Sequence, residues 1–260
     1  MPRQERAERT RELVVRAAAA RFDTAGFTAT SLSDIVETAK VSKGALYFHF
    51  ESKEKLAEAV AIQSGAGWRD VLRAARAPGG PMLQALIDMT HDAAQRIHHD
   101  VVFRAGLRLC DERWPGEDRF PSPYPSWKRA LTLLLARSDR RGELLPGLDV
   151  RQTARMLTAT TAGIETLSRK DRGWLTTPVV AAAWETLLPA LVPAERVACF
   201  RPCGRVPLVP RQPSAPEREI REGREGREGR EGREGREGRE GREGREGREG
   251  REGREGREGR

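Results

Sequence analysis

Nearly every well-patterned segment of the chain has helical period. Leu13, Val14, Ala17, Ala18 and Phe22 form an i, i+4 stripe, which predicts a first helix from about Gln4 to Phe22. It is expected to stop at "TAGF", where Gly26 can take the left-handed conformation. "TSLSDIVETA" then places Leu32, Ile35, Val36 and Ala39 on one face. Thr30 or Ser31 can cap this short helix, with Asp34 standing three residues past Ser31 where a capping box prefers Glu. Ser42 is placed to cap a third short helix, and Ser52 a fourth that carries Leu56, Ala59 and Val60 and runs to about Arg76. Caps so closely spaced predict a compact helical unit.

"APGGP" (Ala77 to Pro81) breaks the pattern, and helices resume in "MLQALIDMTHDAAQRIHH", in "VVFRAGLRLCDE" and, after the proline-rich loop Pro115 to Pro125, in "SWKRALTLLLARSDRRGELL". "DVRQTARMLTATTAGIETLSRK" and "PVVAAAWETLLPALV" supply two more. The last is apolar on most of its circumference, which predicts burial by a partner as well as by its own chain, hence a dimer. The fold class expected is all-α.

Prolines crowd together from Pro193, so ordered structure is expected to end near Val192 or soon after. From Arg221 the chain is Arg-Glu-Gly repeated thirteen times and closed by Arg260. Glycine at every third position opposes a helix and nothing apolar is there to pack, so this tail is expected to be disordered. Collagen also needs proline, which the tail lacks, and each Arg but the last is followed by a Glu that cancels it as an RNA contact. The organisation expected is residues 1–56, a first helical unit; 57–192, a second; 193–220, a proline-rich linker; and 221–260, the repeat tail.

Of 47 basic and 39 acidic residues the tail takes 14 Arg and 13 Glu, so residues 1–220 carry +7 of the formal +8. A basic balance suits nucleic acid or an acidic membrane surface, though a solvated basic face has the same composition. Three cysteines, Cys110, Cys199 and Cys203, do not suggest a disulfide scaffold. "MPRQERAERTREL" lacks the apolar core of a secretory signal, and the longest apolar run, "ALTLLLA", is far too short to cross a bilayer. A cytoplasmic protein with no membrane partner is expected. His91, His98 and His99 lack metal spacing with any cysteine, and Cys199 with Cys203 makes a single C-x₃-C, so no metal or other cofactor is expected. No Ser-His-Asp pattern, Gly-rich phosphate loop or paired carboxylates can be placed, which argues against an enzyme.

One stretch departs from the alanine- and arginine-rich background: "VSKGALYFHFESKEKL", Val41 to Leu56. Two short helices with a tight turn, the second starting after Ser42, make a helix-turn-helix whose second helix would enter the DNA major groove N-terminus first. Lys43 and Gly44 fall in its first turn, with Ala45 beside them; the glycine permits close backbone approach. Leu46 and Phe50 would face inward. Tyr47 would reach a phosphate from another face, and His49 and Lys53 lie where the next phosphates of the strand would pass. An aromatic core helix is the plainer alternative, but the run is polar on one face.

The string "RAAAARFDTAGFTATSLSDIVETAKVSKGALYFHFESKEKL" resembles the DNA-binding domain of the TetR family of bacterial repressors. The resemblance implies a dimer on a double-stranded, pseudo-palindromic operator, a nucleoid location, and DNA contacts from Thr30, Ser31, Lys40, Ser42, Lys43, Gly44, Ala45, Tyr47, His49 and Lys53. Lys40 stands where the family usually has glycine, and a non-glycine residue at positive φ there costs about 1 kcal/mol unless the turn differs.

Four strings, "KGALYFHF", "VVFRAGLRL", "SWKRALTLLL" and "GELLPG", are similar to the γ-butyrolactone autoregulator receptors within that family. A lactone with an alkyl chain needs an apolar pocket, one aromatic wall and a donor or two. The resemblance assigns the wall to Trp127 and hydrogen bonds to Thr161 and Gln63; each can equally be a packing residue. Trp68, Trp114, Trp174 and Trp184 are expected in the core or an interface. A sensor of an antibiotic or other bulky apolar ligand, which the basic charge favours, and an architectural DNA binder without a cavity remain as alternatives.

Overall fold

In the computed structural model of the chain, residues 3–75, 80–112 and 121–205 are described. They are helical, with no strand among them. The elements are α1 (Arg3–Ala29), α2 (Leu32–Ala39), α3 (Lys43–His49), α4 (Lys53–Ala74), α5 (Met82–His99), α6 (Val101–Asp111), α7 (Tyr124–Arg140), α8 (Val150–Ser168) and α9 (Thr177–Leu191), with short 3-10 turns at Arg172–Leu175 and Ala194–Cys199. The repeat tail, residues 206–220 of the linker, Trp114 and Arg76 lie outside the described residues.

The serine caps lie where the pattern puts them. Ser31, Ser42 and Ser52 accept hydrogen bonds from the backbone N–H of Asp34, Ala45 and Lys55. Asp34 completes a capping box by accepting from the Ser31 N–H at 3.0 Å. The Ser31 N–H, and then its hydroxyl, hold the Asp34 carboxyl below its ordinary pKa.

The first helix runs on past Phe22 and breaks at Gly26, within the expected "TAGF", with a short helical piece beyond it to Ala29; what differs is the glycine's conformation, φ 82°, ψ 172°, an extended mirror conformation and not the left-handed helical one. The kink folds Phe27 back against Phe22, ring centroids 5.8 Å apart. Leu13, counted in the apolar stripe, is exposed, while Val14, Ala17, Ala18 and Phe22 are buried.

Two cores form. Around Phe22, Ile35, Leu46 and Leu56, α1–α3 and the start of α4 close a small bundle. Around Trp68, Leu86, Trp127 and Trp184, the rest of α4 packs with α5 and α7–α9. Helix α6 serves both, giving Val102, Ala105 and Leu109 to the first core and Phe103 and Leu107 to the second. It can approach α4 closely because Gly106 lies against Ser64, where any Cβ would overlap that side chain; the Ser64 hydroxyl in turn donates to Phe103 O at 3.0 Å. The expected boundary at residue 56 therefore falls inside a continuous helix and beside a shared one.

Order does not end near Val192. Phe200 is buried in the second core, and the following residues run along α5. Gln84 brackets Arg201, donating to its carbonyl and accepting its N–H, His91 Nε2 meets Pro202 O at 2.7 Å, and Arg205 pairs with Asp88 and Asp92. Proline content suggested a loose linker, but one buried aromatic and a polar stripe on α5 hold this stretch in place.

Candidate nucleic-acid interface and effector cavity

Helix α3 is short, capped by Ser42, and anchored by Leu46 at 0% and Phe50 at 5% exposure. At about 100° per residue, Gly44 and Phe48 both fall on the face diametrically opposite Leu46. Lys43, Gly44 and Tyr47 are exposed and Ala45 is half-buried. The Ser42 oxygen serves as a cap, which leaves its hydroxyl proton available. Lys40 is exposed and keeps the left-handed turn at φ 54°, ψ 42°, its N–H closing on Val36 and Glu37 carbonyls. The turn thus keeps the geometry that glycine would provide, at the expected strain.

Two of the expected DNA contacts, Thr30 and Lys53, also bond within the chain, and a third, His49, is half-buried. Thr30 is 2% exposed and donates its hydroxyl to Gly26 O at 2.7 Å, stitching the kink of α1. Lys53 donates to Phe27 O and Thr30 O, both at 2.9 Å, with its ammonium 4.2 Å from the Phe27 ring centroid. Both close the α1–α2 corner, because the carbonyls at the end of α1 need donors. His49 is half-buried beside Phe50 and Lys55 in a polar groove between α1 and α4.

Phe48 was not anticipated. It is 76% exposed, more than any other large apolar side chain noted, and stands edge-on to His49 with centroids 5.0 Å apart. The signal was present in the sequence: four residues from Gly44 and two from Leu46, it had to point away from the core.

A cavity of about 490 Å³ opens between α4, α6 and residues 121–126, lined by Ala61, Ile62, Trp68 and Leu107 among others. The sequence-assigned residues relate to it unexpectedly. Trp127 is fully buried one layer behind, with its ring 5.2 Å from that of Trp68. Its Nε1–H donates to Thr161 Oγ1 at 3.3 Å, and Thr161 donates to Leu157 O. Trp127 and Thr161 do meet, but they occupy each other's hydrogen-bonding capacity, and Trp68 supplies the wall. Gln63 faces away from this cavity, into the polar groove that holds His49. Sequence spacing could not show this, because it depends on the rotation of α4 against α6.

Polar bonds tie the cavity walls to α1. Arg104 of α6 pairs with Asp23 at 3.0 Å, Arg108 donates to Asp23 O and Thr24 O, and Glu112 receives the Phe27 N–H at 2.7 Å. Tyr124, beside the cavity, donates to Glu165, and Arg169 links Glu165 to Asp111 at the end of α6. Burial and then the Glu165 charge raise the Tyr124 pKa, so the phenol keeps its proton. For Arg169 burial opposes the charge, but the Glu165 and Asp111 carboxylates more than offset it. The Cys110 thiol in the cavity wall is pushed up to about 11 by burial and the nearby Asp111 charge, and stays neutral. Among the described residues no group of three or more His, Cys, Asp or Glu is placed to hold a metal ion.

Comparison with known proteins agrees with this geometry. Residues 14–60 match the model of bacterial regulatory proteins, tetR family. The A-factor receptor protein of Streptomyces griseus is 35% identical over 210 residues, spanning 80% of this chain and 73% of that protein. A solved γ-butyrolactone receptor described as ArpA-like superposes with TM-score 0.64 at 32% identity, over 76% of this chain and 95% of that one. CprB from Streptomyces coelicolor, solved in complex with its operator sequence, superposes with TM-score 0.66 at 34% identity, over 75% and 94%.

Proposed function

This chain belongs to the tetR family of bacterial regulatory proteins, and on that premise we propose that it is a ligand-responsive repressor. It binds a pseudo-palindromic operator as a homodimer and is released when a γ-butyrolactone-type signal fills the cavity between α4 and α6. It controls secondary-metabolism or antibiotic genes and catalyses no reaction. Acting on chromosomal DNA, it works in the cytoplasm at the nucleoid; no helix among the described residues is long and apolar enough to cross a membrane.

The observation that carries this reading is that one helix does two jobs. Gly106, Leu107 and Cys110 of α6 line the cavity, while Arg104, Arg108 and the following Glu112 grip the end of α1. A ligand that displaces α6 therefore displaces the unit that presents Lys43, Gly44, Tyr47 and Phe48. Lys40, Ser31 and Ser42 supply phosphate contacts that set register, and the exposed stripe of α3 reads bases. Dimerisation uses α8 and α9: Met156, Gly163 and Leu167 leave an exposed apolar strip on α8, with Trp174 at its end. Two-fold symmetry then sets the two α3 helices about 34 Å apart, one turn of DNA.

Genomic footprinting with and without extracts of the producing cells tests this. Dyad sites protected one helical turn apart, and lost on adding extract, are the expected result; protection without dyad symmetry, or insensitivity to every extract, rejects it. The +7 on residues 1–220 favours, as a second reading, a sensor of an antibiotic or other bulky apolar ligand. Purifying the releasing activity from the extract separates the two.

A further inference from the structure

Two kinds of polar bond surround α6, and they differ in what they join. Arg104, Arg108 and Glu112 bind α6 and the residue after it to the end of α1, so these two elements travel together. Two other pairs cross from that unit to the end of α8. Arg169, the residue after α8, pairs with Asp111 at the last position of α6. Arg172, in the 3-10 turn that follows, reaches Asp23 of α1 at 3.4 Å.

Both arms rise from a firm base. Buried Glu165 of α8 accepts from Arg169 at 3.0 and 3.1 Å, and bidentate pairing to a buried carboxylate presets the direction of that guanidinium. The turn bearing Arg172 is pinned by Leu175, buried in the second core. Asp23 is aimed in turn by Arg104, whose Nε reaches the same Oδ2 at 3.0 Å. Between the two sides lies a cavity of about 250 Å³, lined mostly by charged side chains, among them Asp23, Arg108, Glu165 and Arg172. At this joint the α1–α6 unit meets α8 through ionic arms beside a polar gap. Such arms lengthen and re-form at little cost, where close-packed apolar surfaces do not.

We propose that Arg169 and Arg172 are a brake on the switch: they hold the α1–α6 unit in its ligand-free position against α8, and the effector must overcome them to displace it. They are positioning residues, since neither lines the effector cavity and neither lies on the helix-turn-helix. Arg172 and Asp111 are half-exposed, so each pair weights the equilibrium between the two positions by only a few-fold. A restraint of that size sets the dose at which release begins and still yields to one bound ligand. This inference rests on α6 moving with the DNA-reading unit while α8, assigned to the dimer interface, stays in place, as the proposed function has it.

Full-length Arg172→Gln and Asp111→Asn are compared with the wild type on the operator by gel retardation, with and without the extract of producing cells that releases the wild type. Each variant is expected to need about threefold less extract for half-release, and the double variant about the product of the two shifts. Ligand-free operator affinity should fall by less than that factor, and urea midpoints should stay at the wild-type value. Arg172→Lys, which keeps the charge, is expected to respond as the wild type does. A half-releasing dose that is unchanged or higher in either single variant, a dose that falls only in step with the urea midpoint, or a Lys variant that shifts as far as the Gln variant overturns the brake and leaves the proposed switch standing. If no extract releases the wild type, the switch falls and the brake with it.

Discussion

Glu112 Oε2 accepts the backbone N–H of Phe27 at 2.7 Å, and the same carboxylate receives Arg108 Nε at 2.7 Å. A residue just past the cavity-lining helix thereby satisfies a backbone donor at the kink of α1. Gly26 lies so close that any side chain there would overlap the Glu112 carboxylate. The contact joins the two halves of the proposed switch.

Replacing Glu112 by Ala removes the acceptor of a partly buried N–H and of Arg108. It is expected to cost about 1–3 kcal/mol in urea unfolding. Operator affinity should fall and its response to effector should shrink, both read by gel retardation. An unaltered effector response would disconnect this contact from signalling.

Phe48 leaves a large ring in water, so about 2 kcal/mol of burial is unrealised in the free protein. Phe48→Ala should therefore change stability by less than about 0.5 kcal/mol. Operator binding should weaken by about 1–2 kcal/mol, and replacing operator thymines by deoxyuridine should reproduce part of the loss, as expected of an apolar contact to a thymine methyl.

Lys40 holds φ 54° with an ordinary side chain. Lys40→Gly is expected to raise stability by up to about 1 kcal/mol, measured as a higher urea midpoint. If its ammonium meets a phosphate, the same variant lowers the salt slope of operator binding by about one.

Trp127 is fully buried and bonded to Thr161. Trp127→Ala should cost about 3–5 kcal/mol, so its loss acts first on folding and not only on release. Trp68→Phe, which keeps an aromatic ring and removes the N–H, is the cleaner probe of the cavity, and a stable Trp127→Ala protein would contradict the packing described.

At alkaline pH, Cys110 and Tyr124 hold their protons more tightly folded than unfolded. Between the ordinary thiol range near pH 9 and about 11, the unfolded chain has released the Cys110 proton and the native state has not, so stability falls as pH rises. Tyr124 adds to the decline above pH 10. The melting temperature is expected to drop across this window, and less steeply in a Cys110→Ala, Tyr124→Phe double variant.

Much of the reading unit was legible because its signals are local. Ser31, Ser42 and Ser52 cap helices through hydrogen bonds spanning three residues, and the inward faces of Leu46 and Phe50 follow from helical period alone. The same locality did not show the internal bonds of Thr30 and Lys53. Each is polar and close to α3, but each turns inward because the kink at Gly26 brings unsatisfied carbonyls within reach.

The effector side was less legible. The resemblance placed Trp127 and Thr161 at a ligand, but which tryptophan faces the cavity depends on how α4 rotates against α6, and that is set by the Gly106–Ser64 contact across 42 residues of sequence. Likewise, the ordering of Phe200 to Arg205 rests on a buried ring and α5 side chains more than 100 positions away.

By itself the sequence determined the helices, their caps, the all-helical class and the exposed face of α3, since these depend on interactions within a turn or two. Only the tertiary structure decided that α6 belongs to both cores, that Arg104, Arg108 and Glu112 hold the end of α1, and that Trp68, and not Trp127, lines the cavity. Those outcomes depend on which distant groups satisfy one another, and hydrogen-bond satisfaction is a property of the packed molecule rather than of any segment.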